Sequence, residues 1–159
     1  MKNVSAKYSN KGFTLIELLV VIGILAILLS IVLIAINPAR QFAQANDTKR
    51  TSAVTQVLNA IGAYQATNKG QLPAAVTALT PGAATAISNV GTPGLCDDLV
   101  PEYIPALPTD PTLNTPDVEE ADCATYDTGY TITLGANNRI TITAPSTETE
   151  GALDIEITR

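Results

Sequence analysis

The hydrophobic pattern divides the 159-residue chain into three regimes. From Phe13 to Ile36, 20 of 24 residues are apolar, with no polar face at any period. Such a segment is a helix buried on every side, and at 1.5 Å per residue it reaches about 36 Å, enough to cross a hydrocarbon core of about 30 Å. Beyond Ile36 the pattern turns amphipathic. Phe42, Val54, Val57, Leu58, Ile61 and Tyr64 fall mostly at three- and four-residue spacings, whereas Asp47, Lys49, Arg50, Gln56 and Asn59 lie largely off that stripe. Asn68-Lys69-Gly70 followed by Pro73 ends the pattern. The expectation is one long helix from about Thr14 to about Asn68, roughly 80 Å, interrupted by Gly23 and by Pro38, which should kink or loosen the turn before it.

The third regime is the remainder. Eight prolines between Pro73 and Pro116 forbid long regular elements and predict a loop-rich connection with short helical turns around Pro73–Leu79 and Asp98–Tyr103. The period then becomes two. Tyr130, Ile132 and Leu134 alternate with Thr131 and Thr133, and Ile140 and Ile142 alternate with Thr141 and Thr143. Gly135-Ala136-Asn137-Asn138 supplies the turn of a β-hairpin, and Leu153, Ile155 and Ile157 suggest a further strand. One face of this sheet needs a cover, and the helix stripe supplies it. The fold class is α+β, a long N-terminal helix packed on a small antiparallel sheet. Its parts are a basic leader (1–12), a membrane-grade helix (13–36), an amphipathic helix (37–70) and an acidic head (71–159), loop-rich over 73–128 and β-rich over 129–158.

Charge follows the same division. Lys2, Lys7 and Lys11 open the chain with no acid among them, and from Gln71 onward thirteen carboxylates stand against Arg139 and Arg159 alone. The basic start beside an apolar run reads as a cytoplasmic flank, which places the head outside. The acidic head repels phosphate backbones, so nucleic-acid binding by the head alone is not expected. With no histidine in the chain, His-based triads and His-bound metals are excluded. No nucleophile elbow or glycine-rich phosphate loop is present, and the reading is of a protein that is not an enzyme.

A basic start and an apolar run ordinarily mean a cleaved secretory signal, but this run is long and lacks an Ala-x-Ala site at its far end. A plain anchor leaves Glu17 unexplained. A carboxylate inside the bilayer costs a few kcal/mol even on lenient scales, so it should find a partner, stay protonated or snorkel to the headgroups. The stretch Lys11-Gly12-Phe13-Thr14-Leu15-Ile16-Glu17-Leu18-Leu19 resembles the N-terminal signature of type IV pilins and of type II secretion pseudopilins. The resemblance implies cleavage between Gly12 and Phe13 by a prepilin peptidase and N-methylation of the new Phe13 amine. It further implies polymerisation into a helical homo-oligomeric filament through the N-terminal helix. There Glu17 would neutralise the amine of a neighbouring subunit and set axial register. An inner-membrane assembly platform and its ATPase would be partners, with membrane lipid the environment before assembly. The location implied is the cytoplasmic membrane, crossed once, then a filament in the periplasm or on the cell surface.

Cys96 and Cys123 both lie in the head, where the compartment permits a disulfide; two free thiols are the alternative. Closing that loop would contribute roughly 3.5 kcal/mol in the chain-entropy model. Zinc is not expected from two thiols without histidine. Asp110, Asp117, Glu119, Glu120, Asp122 and Asp127 crowd the approach to the hairpin. Major pseudopilins hold calcium in a loop before their final strands, and Leu107-Pro108-Thr109-Asp110-Pro111 with Tyr126 and Tyr130 resembles that region. Calcium held by Asp110, Asp117 and Asp122 is therefore one reading, and a solvated acidic loop is the other. No cofactor is required. The functional rival to a filament subunit is a single-pass, membrane-tethered binding module that does not polymerise; it has no use for Gly12-Phe13 or Glu17.

Overall fold

The structure, a computed structural model, describes residues 12–149 and 154–159. The lysines of the leader and Leu153 fall outside the described residues. The chain forms two compact units, divided after Pro38.

The first unit is helix α1, Leu15–Ala35. Leu15–Ile34 has a mean hydropathy of 3.1 and no buried share, and meets the length and composition of a membrane span. Its few polar groups are satisfied locally. Ser30 Oγ donates to the Ala26 carbonyl one turn back, the usual way a hydroxyl is hidden inside an apolar helix. The expected single helix is in fact two. Ile36 is extended (φ −94°, ψ 105°) and its N–H donates to Val32 O at 3.0 Å, closing α1. The second helix, α2, runs Pro38–Thr67. A residue preceding proline is disfavoured in the α region, and proline is favoured at the first position of a new helix. Pro38 therefore restarts the chain as a helix, with Asn37 immediately before it, instead of kinking a continuous one.

In the second unit α2 buries Ala53, Val54, Val57, Leu58, Ala60 and Ile61 along one stripe. Two expectations for this stripe fail. Phe42 is 70% exposed, and Arg50, read from the pattern as off the stripe, has no exposure at all. Two short helices follow, α3 (Ala74–Thr77) and α4 (Leu95–Leu99); α4 begins three residues earlier than the sequence suggested. Between them lies a strand the sequence reading missed, β1 (Ala84–Ser88), inside the proline-rich connection. The hairpin is β2 (Asp127–Leu134) with β3 (Ile140–Ala144), and β4 is Ile155–Thr158.

The four strands form an antiparallel sheet in chain order. Thr85, Ile132, Ile142 and Ile157 stand in one row across it, and Ile132 and Ile142 are fully buried in the core shared with α2. The opposite face carries Thr131, Thr133, Thr141 and Thr143, half-exposed. Pairing of β1 with β2 is irregular between Ala86 and Ser88. A disulfide joins Cys96 in α4 to Cys123, with Cα atoms 5.4 Å apart. It fastens the proline-rich segment, poor in ladder hydrogen bonds of its own, to the approach of β2.

Candidate processing and assembly site

Gly12 and Phe13 are exposed, and Phe13 is 86% so. A Cβ added at Gly12 would meet nothing within 4 Å. The Gly12-Phe13 peptide is thus sterically open in the described chain.

Immediately after it, the sequence Thr14-Leu15-Ile16-Glu17 makes a reciprocal cap. The Glu17 N–H donates to Thr14 Oγ1 at 3.3 Å, and the Thr14 N–H and hydroxyl each donate to Glu17 Oε2 at 2.8 Å. This capping box satisfies backbone donors that the first turn of a helix leaves without partners, and places a carboxylate at the positive end of the helix dipole. The sequence reading assigns Glu17 an assembly role and not this local cap. The signal that would have found the cap is the Thr-x-x-Glu spacing ahead of an apolar run. The cap holds the carboxylate at the N-terminal end of α1, beside the backbone of the residue that follows Phe13.

The other candidate residues fall in the head. Of the three calcium candidates, Asp110 is 2% exposed and both its oxygens are engaged by Arg50, Oδ2 from Nε at 2.7 Å and Oδ1 from Nη2 at 3.0 Å. Asp117 Oδ1 accepts from the Thr109 N–H at 3.0 Å, and Asp122 lies in the exposed turn Glu120–Asp122. The structure does not bring the three carboxylates together, and among the described residues no group of three His, Cys, Asp or Glu side chains converges as an ion would require. A fork-shaped cation matched to a carboxylate is the reason: the bidentate pair uses the oxygens that calcium would need.

Arg50 is the centre of this region. Besides Asp110 it donates to Asp47 Oδ1 at 2.8 Å and to Glu148 Oε1 at 3.1 Å. Asp47 in turn accepts from the backbone N–H groups of Glu148 and Thr149, both at 3.1 Å. One guanidinium therefore ties α2 to the loop before β2 and to the segment after β3. Burial alone would raise the Asp110 pKa, but the hydrogen bonds from Arg50 and Thr112 and the Arg50 charge outweigh it and hold the carboxyl below its ordinary range. Asp47 is likewise lowered, its burial outweighed by donors from Thr149, Glu148 and Arg50. Burial, with the Asp110 charge second, pushes the Tyr130 phenol up to about 12.

Residues 7–33 match the prokaryotic N-terminal methylation motif, the signal of type IV pilins and pseudopilins. The match covers the processing junction, the capping box and most of α1, and leaves the head outside it. No curated protein and no solved structure matches the chain. The chain thus carries a pilin-type N-terminal signal on an α+β layout consistent with a pilin-like fold. Families with this motif are structural, not enzymatic, and the signal with one N-terminal apolar helix fits a membrane-anchored precursor.

Proposed function

We propose that this protein is the structural subunit of a type IV pilus-like or pseudopilus filament. A prepilin peptidase cleaves it after Gly12, Phe13 is N-methylated, and the chain polymerises through its N-terminal helix. The observation that carries the reading is the methylation motif set directly against a 20-residue apolar segment with no buried share. A helix apolar on every side, with no buried share among the described residues, needs an apolar surrounding, lipid before assembly and other copies of α1 afterwards. A cleaved chain presents a cationic amine at Phe13, one residue from the Thr14 cap. Pairing with the Glu17 carboxylate of a neighbouring copy offsets the burial of both charges and fixes axial register. The head stays outside the cytoplasm, and an assembly platform with its ATPase supplies the work. The chain itself performs no catalysis in this reading.

The test is intact mass and N-terminal sequencing of the protein from its native membrane or surface fraction. A chain beginning with N-methyl-Phe13 is the expected result. A chain still beginning at Met1, from cells with an active prepilin peptidase, overturns the proposal in favour of a tethered binding module. Glu17→Ala is expected to leave membrane insertion intact and to impair assembly, seen as loss of sedimentable filaments; normal filaments from that variant remove the register role.

A further inference from the structure

The head is acidic, yet its two arginines beyond Gln71 are brought together. Arg139 and Arg159 are twenty positions apart, and both line one cavity of about 190 Å³ beside Leu58, Ile61, Gly62 and Gln65 of α2. The backbone pairs Arg159 with the neighbour of Arg139: the Ile140 N–H donates to Arg159 O and the Arg159 N–H donates to Ile140 O, each at 2.9 Å. The Arg159 guanidinium is seated on α2, where Nη1 donates to Asn59 Oδ1 at 3.0 Å. A Cβ at Gly62 would lie 3.1 Å from the same Nη1. Glycine weakens a helix interior relative to alanine, and here its missing side chain is the notch that admits the guanidinium.

Neither Arg139 nor Arg159 forms an ion pair with a carboxylate among the described residues, whereas Arg50 forms three. Two arginines at one cavity with Leu58 and Ile61 in its wall are suited to carboxylates on a chain segment. The densest exposed carboxylates of the head are Glu119, Glu120 and Asp122, and they too have no cationic partner among the described residues. The two sets cannot meet within one copy. The acidic turn precedes Asp127, where β2 begins, and the arginine cavity lies past Leu134, where β2 ends. Seven steps of about 3.4 Å put these ends ~24 Å apart, well over a Debye length of about 8 Å at physiological salt.

Opposite charges at opposite ends of one sheet match a second copy, and in a filament, where copies succeed one another along one axis, the match is to a displaced copy. Such heterologous contacts propagate into open helical assemblies. Resting on the filament reading, we infer that the Arg139–Arg159 cavity of one head receives the Glu119–Asp122 turn of the next copy. The heads thereby supply polarity and spacing to a filament whose core is α1.

The experiment compares filament yield from cells making the full-length wild type, R139E/R159E, and the four-fold charge swap R139E/R159E/E119R/E120R. The two-site variant is expected to lose on the order of tenfold in yield, since exposed pairs are individually weak but reversal replaces attraction with repulsion. The four-fold swap, which restores the complement in every interface, is expected to recover most of it. Wild-type yield from the two-site variant, or no recovery in the four-fold swap, overturns the inference. An Asn138→Cys/Glu120→Cys chain gives a second measurement independent of any folding defect in the charge variants. A ladder of cross-linked copies on a non-reducing gel supports the contact, and its absence in intact filaments refutes it. If the wild type itself forms no filaments, the underlying filament reading fails and the inference falls with it; if it does and the arginines prove dispensable, only the inference fails.

Discussion

Replacing Arg50 by methionine isolates the central electrostatic contact of the head. Methionine keeps much of the aliphatic stem while removing the cation, leaving Asp110, at 2% exposure, with no opposite charge in reach of its oxygens. Breaking a buried pair by deleting one partner costs about 3–5 kcal/mol. For a unit of about 120 residues, with an unfolding entropy of about 2.1 cal/mol/K per residue, each kcal/mol moves the melting temperature by ~4 °C, so a fall of about 12–20 °C is expected. The measurement is thermal melting of the full chain in detergent, followed by tyrosine near-ultraviolet circular dichroism. The pH dependence sharpens the test. In the wild type, Asp47 and Asp110 are held below their ordinary pKa. Their contribution is complete above about pH 4 and is lost as the pH falls through their folded values. Asp98, raised by burial and then by Asp97, acts with the opposite sign. Without Arg50 the buried Asp110 prefers its proton, and the variant should gain stability over the acid range where the wild type loses it. Combining Arg50→Met with Asp110→Leu should recover most of the loss, because an apolar pair leaves neither charge stranded. A single variant that melts within about 4 °C of the wild type, or keeps its acid slope, refutes the account of Arg50 as the buried tie.

Other expectations follow from local geometry. Replacing both cysteines of the Cys96–Cys123 bridge by serine should cost roughly 3.5 kcal/mol, read as a lowered urea midpoint with an unchanged slope if the unfolded ensemble keeps its compactness. Gly129→Ala places a Cβ in the left-handed region (φ +76°) and 3.0 Å from both Asp110 Cβ and Leu113 Cδ1. It should lower stability by about 1–2 kcal/mol from the backbone alone, and more if Asp110 is pushed off Arg50. Millimolar calcium is expected to leave the melting temperature unchanged, since Asp110 is engaged by Arg50; an increase with calcium that persists in Asp110→Asn would point to other ligands.

The legible parts of the fold were those with a strong local period. Alternating isoleucines and threonines were enough to define β2 and β3, and the three- and four-residue spacing from Val54 to Ile61 located the covering stripe of α2. Strand β1 was not legible because Ala84-Thr85-Ala86 has no large residue to mark an inner face, and Pro81 with Gly82 reads as punctuation. Its strand state comes from pairing with Ala84 opposite Thr133 and Ala86 opposite Thr131, information carried by β2. Arg50 was misplaced for the same reason. An arginine is ordinarily a surface residue, and the partners that allow its burial lie 60 and 98 positions away. The capping box is fully legible in the sequence, since Thr14 and Glu17 stand at Thr-x-x-Glu spacing directly ahead of the apolar run. At Pro38 the sequence marked the position, and the dihedral restriction on the residue before a proline explains why a break forms there instead of a kink.

The margins of the sheet have a consequence for life at high concentration. In the proposed filament role, subunits would lie side by side in a membrane, where any straight, unpaired strand invites fusion with its neighbour. Both outer strands discourage this. The last is only four residues long and sets Glu156 on its outer row opposite Thr143, and the first loses its regular ladder between Ala86 and Ser88. Both margins thus work against edge-to-edge zippering of the heads, and in the proposed filament association is left to the apolar helix and to charge.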